Sequence, residues 1–360
     1  MRIAIDGYEL QQRFTGVGRY LFNLLSAILA LDGSNDYTLF LKEETDQTPR
    51  ADNLRPVVIH TDISHTRWQN TTLRRHLGKQ DFDLFFSPNH SLPLFLRQRS
   101  FMTIHDVSWR VLPRDYSLKE RMVRDLKTRA SCRRADLIFT DSHFSQGEIL
   151  RYYPAAEGKI VPIQLGIDGA FRPASTQAVR TFKEKYGLDG GAVFGFLGSM
   201  FRRRHIDELL QAVEIVRKTR PVKLFLIGKD FYRGELCDRL SAPWVTWCER
   251  IEEDEVNAFY SALDLFVYPS DYEGFGFPPL EALQCGTVPV VSRTSSLGEV
   301  CESLAVYFEN HTAEHMAAVL TDTLKRLPQI KADRLAVFEQ HRPRFSWEQV
   351  ARKYLSYFSP

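Results

Sequence analysis

Short apolar runs rich in β-branched and aromatic residues recur along this chain, and longer segments with helical spacing of apolar residues separate them. Before residue 170 the runs are 2–6, 37–41, 57–60, 84–88, 101–106, 137–142 and 160–166. After the polar stretch 168–186 the pattern starts again, with runs 193–199, 222–228, 245–248, 265–270, 288–292 and 305–308. Because strands that alternate with helices form parallel sheets covered by helices, the pattern predicts an α/β fold of two doubly wound, Rossmann-like domains in tandem.

The restart of the pattern gives the domain organisation. We predict a first domain over residues 1–170 and a second over residues 171–344, and the length of 360 residues is sufficient for two full cores. Residues 345–360 carry Trp347, Val350 and Tyr354 at helical spacing and predict a terminal helix. Parallel sheets bind ligands at the carboxyl ends of their strands, so two such sheets predict an interdomain cleft with the functional residues at strand ends.

Charge and cysteine usage exclude several classes of protein. The 47 basic and 45 acidic residues give a formal net charge of +2, which does not indicate a dedicated nucleic-acid-binding protein. The 5 cysteines include no Cys-x-x-Cys pair, so the sequence predicts neither a disulfide framework nor a zinc knuckle. The first apolar run meets Asp6 and is interpreted as a strand rather than a signal peptide. No run approaches about 18 apolar residues, so we expect a cytoplasmic protein, at most attached to a membrane surface.

The stretch 268–286, Y-P-S-D-Y-E-G-F-G-F-P-P-L-E-A-L-Q-C-G, connects two predicted strands. Gly274 and Gly276 permit a tight loop with exposed amides, and the two prolines that follow fit the first turn of a helix that ends near residue 286. Glu273 then lies in the loop and Glu281 in the helix. The N–H groups of a helix N-terminus suit phosphate oxygens, so this connection predicts an anion site beside a carboxylate. The alternative is a strand-to-helix turn with two solvated acids.

The stretch 198–205, G-S-M-F-R-R-R-H, is the second connection of interest. It places Arg202, Arg203 and Arg204 before the helical run 206–216, where three cations oppose the helix macrodipole unless an anion binds there. A diphosphate is an anion of the right kind. The alternative is a solvated basic turn.

These motifs resemble glycosyltransferase family 4, the retaining nucleotide-sugar transferases of GT-B architecture, whose hallmark is E-G-F-G-x-P-x-x-E; here it stands complete from Glu273 to Glu281. The resemblance covers nearly the whole chain: the glycine loop at 14–20, the T-I-H-D strand end at 103–106, the next strand end at 141–145, the hinge approach at 162–168, the phosphate loop at 198–205 and the closing helix from 345, which in the family packs on the first domain.

The resemblance implies a set of site residues. It assigns catalytic roles to His105 and Glu273. His105 would form a hydrogen bond with the transferred sugar, and Glu273 would bind hydroxyls of the donor sugar. Glu281 would bind the ribose, and the backbone near Ile251 would contact the base. Asp106 is expected either to orient the ring of His105 or to help shape the acceptor side. The donor-binding residues that the resemblance implies are Gly16, Gly18, Ser199, Arg203, Arg204, Ile251, Phe275, Gly276, Phe277 and Glu281.

The reaction implied is the retaining transfer of a hexose from a nucleotide diphosphate sugar to a glycan or polyprenyl-linked acceptor, without cofactor or metal. Asp81-Phe-Asp83 spells the D-x-D of metal-dependent sugar transferases but opens an apolar run, and we interpret it as a polar strand start. The segment 287–300 is similar to mannosyl-transferring members that build bacterial surface polysaccharides, which favours GDP-mannose; UDP-sugars are the alternative donors. The rival functions are an epimerase or phosphorylase-like enzyme on the same architecture and a non-catalytic nucleotide-sugar-binding partner.

The predicted helix 117–135 is strongly basic, with seven lysines and arginines against Glu120 and Asp125. A solvated helix face is the favoured interpretation. The alternative is an attachment face for anionic phospholipid or a polyprenyl-phosphate acceptor.

Overall fold

Two fully parallel β-sheets organise the chain in a computed structural model that describes residues 1–11, 15–232 and 234–358. Contacts divide the chain into two units. Unit 1 consists of residues 1–166 together with the C-terminal segment from residue 344, and unit 2 consists of residues 167–343.

The sheet of unit 1 has seven strands in the order β3-β2-β1-β4-β5-β6-β7. The strands are β1 (Arg2–Asp6), β2 (Asp36–Leu41), β3 (Leu54–Val58), β4 (Leu84–Ser87), β5 (Arg99–Thr103), β6 (Leu137–Thr140) and β7 (Ile160–Pro162). The helices between them are α1 (Gly16–Leu31), α2 (His65–Trp68), α3 (Arg74–Leu77), α4 (Ser108–Val111), α5 (Leu118–Arg134) and α6 (His143–Tyr152).

The composition of these strands follows their place in the sheet. All four residues of β4, which lies between two neighbours, are buried, as expected for an inner strand covered on both faces. β3 lies at the edge and contains Pro56, which has no N–H to donate and is tolerated on an edge strand. The order of strands reverses between β1 and β4, so the carboxyl ends of these two strands form the switch point of the sheet.

The sheet of unit 2 has six strands in the order β10-β9-β8-β11-β12-β13. The strands are β8 (Ala192–Leu197), β9 (Val222–Ile227), β10 (Val245–Cys248), β11 (Leu265–Tyr268), β12 (Val288–Ser292) and β13 (Val306–Phe308). The helices are α7 (Thr176–Tyr186), α8 (Ile206–Arg217), α9 (Cys237–Leu240), α10 (Val256–Ala262), α11 (Phe277–Gln284), α12 (Ser295–Cys301), α13 (Ala313–Lys325) and α14 (Leu327–His341). Here the order reverses between β8 and β11.

The last helix, α15 (Trp347–Tyr357), packs against α1 of unit 1. The Tyr354 hydroxyl lies 2.8 Å from the hydroxyl of Tyr20 on α1. Tyr20 in turn lies 2.8 Å from Thr103 Oγ1 at the end of β5. This buried chain of hydroxyls ties the end of the sequence to the sheet of unit 1. Residues 359 and 360 of the predicted terminal helix lie outside the described residues.

The doubly wound α/β fold predicted from the sequence is confirmed, and each predicted strand corresponds to a strand among the described residues. The predicted bounds were wrong in two respects. β3 begins at Leu54 rather than at residue 57. The exposed residues Arg55 and Pro56 interrupt the apolar run from which the start of this edge strand was predicted. Several predicted strands also extend past the observed carboxyl end, for example to residue 106 where β5 ends at Thr103.

No helix within residues 1–11, 15–232 and 234–358 combines the length and the apolar character needed to cross a bilayer.

Candidate functional site

The switch point of unit 2 brings together the two connections that the sequence singled out. Residues 198–205 follow β8, and residues 269–276 follow β11, its neighbour in the sheet. In open parallel sheets, the crevice beyond the carboxyl ends at such a point is the usual ligand site. We call the facing residues Ser199, Arg204 and Glu273, with Tyr268 and Ser270, the Glu273 cluster.

The connection after β8 folds back on itself, so that the side chain of Arg204 contacts Ser199 near the beginning of the same connection. Arg202–Arg204 forms a single 3-10 turn, and His205 then takes a left-handed conformation (φ 46°) before α8 begins. The Nη1 of Arg204 donates a hydrogen bond of 2.9 Å to the Ser199 carbonyl. A Cβ at Gly198 would lie 2.4 Å from that nitrogen, so glycine makes room for the guanidinium.

Arg204 and Glu273 form a largely buried ion pair, with side-chain exposures of 11% and 13%. The Nε of Arg204 donates to Glu273 Oε1 at 3.0 Å. The hydroxyls of Tyr268 (3.0 Å) and Ser270 (2.8 Å) donate to the same oxygen. All three donors bind Oε1, and among the described residues no donor is found for Oε2, so this carboxylate is fixed through one oxygen.

The environment of Glu273 favours its charged form. Burial alone would raise the pKa of this carboxyl, but the charges of Arg204 and Arg203 and the hydrogen bonds from Arg204 and Ser270 outweigh burial and hold the pKa below its usual value. Glu273 is therefore an ionised acceptor at neutral pH.

Gly276 and two serines at the start of α12 fix the backbone conformation of the loop that carries Glu273. Gly276 has φ 98°, and a Cβ there would lie 2.6 Å from Leu297 Cδ2, so no larger residue fits without a shift. The Ser295 Oγ accepts from the Glu273 amide at 3.0 Å, and the Ser296 Oγ donates to the carbonyls of Glu273 (2.8 Å) and Phe275 (3.0 Å). α11 then begins at Phe277 with prolines in its first turn, as predicted.

Three further residues that the sequence predicts to bind the nucleotide sugar lie in different surroundings. Glu281 is almost fully buried, with 1% exposure, and its Oε2 accepts a 2.7 Å hydrogen bond from the Tyr260 hydroxyl. Phe275 is buried, and its ring contacts the ring of Phe277 edge to face at 5.1 Å. Ile251 lies half-buried in the connection after β10 and packs against the core of unit 2.

The three consecutive arginines before α8 make different contacts. Arg202 pairs with Glu235 at 2.5 Å. The guanidinium of Arg203 lies 4.6 Å from the centre of the Phe201 ring, and Arg204 turns to Glu273. The first turn of α8 itself carries acidic residues, which suit the positive end of the helix dipole.

In unit 1, His105 follows β5 and is held at both ring nitrogens. Its Nδ1 donates to Asp141 Oδ2 at 2.8 Å and its Nε2 donates to the Pro88 carbonyl at 3.0 Å. The Pro88 carbonyl only accepts, so Nε2 carries a proton, and the Asp141 carboxylate in its ionised form accepts a second proton from Nδ1. Burial lowers the pKa of His105, but the Asp141 carboxylate and the Pro88 carbonyl outweigh it and raise the pKa above its ordinary value. The residue that orients the ring is thus Asp141 rather than Asp106, whose carboxylate accepts from the Ser108 amide at 2.8 Å.

The glycine loop lies at the switch point of unit 1. Gly16 and Gly18 are in the first turn of α1, where the Thr15 side chain accepts from the Gly18 amide at 3.0 Å. Phe14, the first residue of the predicted loop, lies outside the described residues. Helix first turns leave amides without helical partners, which makes this turn able to face an anion.

Sequence analysis missed a polar cluster at the same edge of unit 1. Asp6, at the end of β1, accepts hydrogen bonds of 3.0 Å from His65 and from Gln69. Glu9 accepts from Asn89 at 2.6 Å, and burial raises the pKa of Glu9. The signal available was the position of these residues just after β1 and β4, the strands of the switch point.

Asp81-Phe-Asp83 precedes β4, as expected of a polar strand start. The Asp83 carboxylate accepts from the Arg2 amide on the neighbouring β1 at 2.7 Å. This acid therefore has a structural partner.

Two family models match this chain. "Glycosyltransferase Family 4" matches residues 14–171 and "Glycosyl transferases group 1" matches residues 179–335. Together they span most of the chain, one in each unit of the structure.

A curated relative and two solved structures are similar over nearly the full length. The O-antigen chain mannosyltransferase B of Escherichia coli is 28% identical over 353 residues, covering 90% of this chain and 91% of the relative. Sucrose-phosphate synthase from Thermosynechococcus elongatus has a TM-score of 0.78 at 18% identity, covering 99% of this chain and 98% of the other. Anabaena HepE, solved in complex with UDP-glucose, has a TM-score of 0.76 at 16% identity, covering 99% and 98%.

The first prediction concerns the Arg204–Glu273 pair. Because the pKa of Glu273 in the folded protein lies below its ordinary value of 4.5, the carboxylate stabilises the folded state above about pH 4.5, and this contribution is lost as the pH falls through the folded pKa. We expect Glu273→Gln to lower the melting temperature by several degrees at neutral pH, since Arg204 then lacks a buried counter-charge. The difference from wild type should shrink as the pH falls from neutral to below 4.5, as measured by scanning calorimetry.

The matched control is Glu235→Gln. Its pair with Arg202 is exposed on both sides, so its removal should leave the melting temperature nearly unchanged. A difference between wild type and Glu273→Gln that is constant across this pH range would contradict the assignment.

Proposed function

Since this chain belongs to glycosyltransferase family 4 and has the GT-B fold, we propose that it transfers a hexosyl residue, with retention of configuration, from a nucleotide diphosphate sugar to a glycan or polyprenyl-linked acceptor. The observation that supports this most strongly is the Glu273 cluster. It combines an ionised carboxylate and a guanidinium at the switch point of a doubly wound sheet, and the loop that carries Glu273 leads directly into the N-terminus of α11.

The proposed donor contacts follow from this geometry. Glu273 is firmly held through Oε1, and Oε2 is proposed to accept hydroxyls of the donor sugar. The cations of Arg203 and Arg204 and the amides of Gly276 and Phe277, which open α11, are proposed to bind the diphosphate. These groups lie where negative charge develops as the diphosphate departs, so they lower the barrier electrostatically.

In the proposed reaction the bond from the anomeric carbon to the diphosphate oxygen breaks, and a bond to the acceptor oxygen forms on the same face of the sugar. The acceptor proton passes to the departing phosphate, and nucleotide diphosphate is released. His105 is proposed to donate a hydrogen bond to the transferred sugar. Because its Nε2 proton is directed to the Pro88 carbonyl, that bond must be shared with the sugar or exchanged for it.

We propose mannose from GDP-mannose as the transferred group. Support comes from the similarity over nearly the full length to an O-antigen chain mannosyltransferase and from the resemblance of segment 287–300 to mannosyl-transferring members. The transfer is proposed to need no metal ion or other cofactor, because the cations of Arg203 and Arg204 are proposed to compensate the charge of the diphosphate.

The donor proposal predicts the order of nucleotide affinities. In calorimetric titrations with GDP, UDP, ADP and TDP, GDP should bind roughly tenfold or more tightly than the others.

Turnover of GDP-mannose in EDTA should stay within about twofold of the untreated rate. Tighter binding of UDP would transfer the proposal to a UDP-sugar, and activity lost in EDTA and restored by manganese would contradict the metal-independent reaction.

The two glutamates should separate in kinetics. Glu273→Gln should leave nucleotide diphosphate binding nearly intact and lower kcat by roughly 100-fold or more, because it removes an interaction needed in the transition state. Glu281→Gln should weaken the donor and the free nucleotide alike, mainly in KM, while the glutamine oxygen still accepts from Tyr260. Calorimetry and steady-state rates measure both effects, with circular dichroism to establish that each variant is folded.

Three outcomes bear on this assignment. Wild-type turnover in Glu273→Gln would mean that the loop is structural. A lower melting temperature with unchanged nucleotide affinity in Glu281→Gln would assign Glu281 to support of α11 alone. A wild-type chain that binds nucleotide sugar and never turns it over would be the non-catalytic partner.

The exposed face of α5 supports a membrane-bound acceptor. Leu118, Met122 and Leu126 follow one another at four-residue spacing, with exposures of 68%, 55% and 63%. Arg129 and Arg133 continue the same stripe and are exposed. The sequence favoured a solvated basic face, but the described side chains form an apolar stripe that continues into basic residues. We propose that this stripe contacts an anionic phospholipid surface, where lipid-linked acceptors are found.

A triple substitution tests this contact. The variant with Leu118→Ser, Met122→Ser and Leu126→Ser should bind vesicles containing anionic phospholipid at least about tenfold more weakly than wild type, since three apolar side chains no longer enter the interface. Flotation with anionic and with zwitterionic vesicles measures the binding. Phe231→Ser, which removes an exposed apolar side chain of unit 2, is the control. Equal flotation of all three proteins would contradict the proposal.

A further inference from the structure

A cluster outside the proposed chemistry joins three connections of unit 2. His205 precedes α8, Asp271 lies in the loop after β11, and His311 lies between β13 and α13. His205 Nε2 is 2.7 Å from one carboxylate oxygen of Asp271, and His311 Nδ1 is 3.3 Å from the other. The two imidazole rings stack at 3.9 Å with an angle of 5° between their planes. One carboxylate thus faces two imidazoles.

The outer nitrogen of each ring also has a partner. His205 Nδ1 lies 3.4 Å from a carboxylate oxygen of Glu208 on α8, and His311 Nε2 lies 2.7 Å from the Ser292 hydroxyl at the end of β12. Histidines that ligate metals usually have their second nitrogen held in this way by a carboxylate or another polar group, which fixes the ring and raises its basicity.

We propose that His205 Nε2, the Asp271 carboxylate and His311 Nδ1 form a binding site for a divalent transition-metal ion such as Zn²⁺. The three ligand atoms lie within 4.8 Å of one another. Tetrahedral zinc with bonds of about 2.0–2.1 Å requires ligand atoms about 3.3 Å apart. An imidazole nitrogen binds a metal in the plane of its ring, so the stacked rings must turn out of their parallel arrangement for His205 Nε2 and His311 Nδ1 to bind one ion. Two imidazoles and one carboxylate suit zinc, nickel or copper, whereas calcium and magnesium prefer an all-oxygen set.

The exposure of the cluster fits an ion with an open position. The two histidines are 18% exposed and Asp271 is 41% exposed, so a water molecule completes four ligands from the solvent side. On coordination the metal takes the place of the proton that His205 Nε2 shares with Asp271, and that proton passes to solvent.

The position of the ion gives it a structural role. His205 directly follows Arg204, and Asp271 precedes Glu273 by two residues, so the ion would fasten both loops of the Glu273 cluster to the connection after β13. The proposed transfer reaction does not use this ion. Binding and transfer are therefore measured separately, and either can fail without the other.

The test is metal titration of the full chain, prepared without a histidine tag and stripped with chelator. Calorimetry with Zn²⁺ should give one ion per chain, and Co²⁺ should give visible absorption bands of a nitrogen- and oxygen-ligated ion. At a hundredfold excess of Zn²⁺ over its dissociation constant, the melting temperature of the protein should rise by roughly 4 °C.

His311→Gln should weaken Zn²⁺ binding at least about tenfold and abolish the rise in melting temperature. Asp271→Asn keeps the size of the side chain, should have the same effect, and serves where His311→Gln does not fold. His60→Gln, which removes an exposed imidazole of unit 1, and Cys237→Ser, which removes an exposed thiol of unit 2, should bind Zn²⁺ as wild type does. The absence of Zn²⁺ and Co²⁺ binding, or binding that is unchanged in a folded His311→Gln or Asp271→Asn protein, would overturn the proposal.

Discussion

The buried ion pair between Arg204 and Glu273 is the interaction on which the arrangement of unit 2 depends. A carboxylate at 13% exposure is costly to bury unless its charge is compensated and its oxygens are hydrogen-bonded. Here one oxygen receives three donors, from the loop after β8, from the end of β11 and from the Glu273 loop itself. The pair therefore fixes two connections relative to each other, and Gly198 leaves space for the guanidinium in its present position.

The position of that pair follows from the topology. In each unit the strand order reverses between the first and fourth strands, and the connections leaving the neighbouring strands diverge there. Polar side chains can gather in such a place without disturbing the ladders of the sheet. The same rule explains the polar groups that follow β1 and β4 in unit 1, where Asp6 and Asn89 have partners from other elements.

The sequence predicted the elements well because parallel sheets leave a strong pattern, in which inner strands such as β4 are apolar throughout. It predicted the loop of Glu273 from its glycines and prolines. The hydrogen-bond partners of the site residues could not be predicted from the sequence. Asp141 lies 36 positions from His105, and Arg204 lies 69 positions from Glu273. Local pattern carries no information on such pairs, so Asp106, the neighbour in sequence, was the wrong choice for the partner of His105. The cluster of His205, Asp271 and His311 was not predicted for the same reason, because its three residues lie in three separate segments of the sequence.

The charge balance of the Glu273 cluster has a consequence for ligand binding. Arg204 already compensates Glu273, so a diphosphate that reaches this loop must share its cation with a fixed carboxylate. Two further groups contribute positive potential at this loop. They are Arg203, whose charge also lowers the pKa of Glu273, and the backbone amides at the start of α11. Prolines in the first turn of α11 cannot donate hydrogen bonds, so the amides of Gly276 and Phe277 carry that part alone. The left-handed conformation of Gly276 determines where those amides point. A backbone conformation that only glycine adopts without strain is thus part of the electrostatics of the site, and the sequence of the loop is constrained by charge as well as by packing.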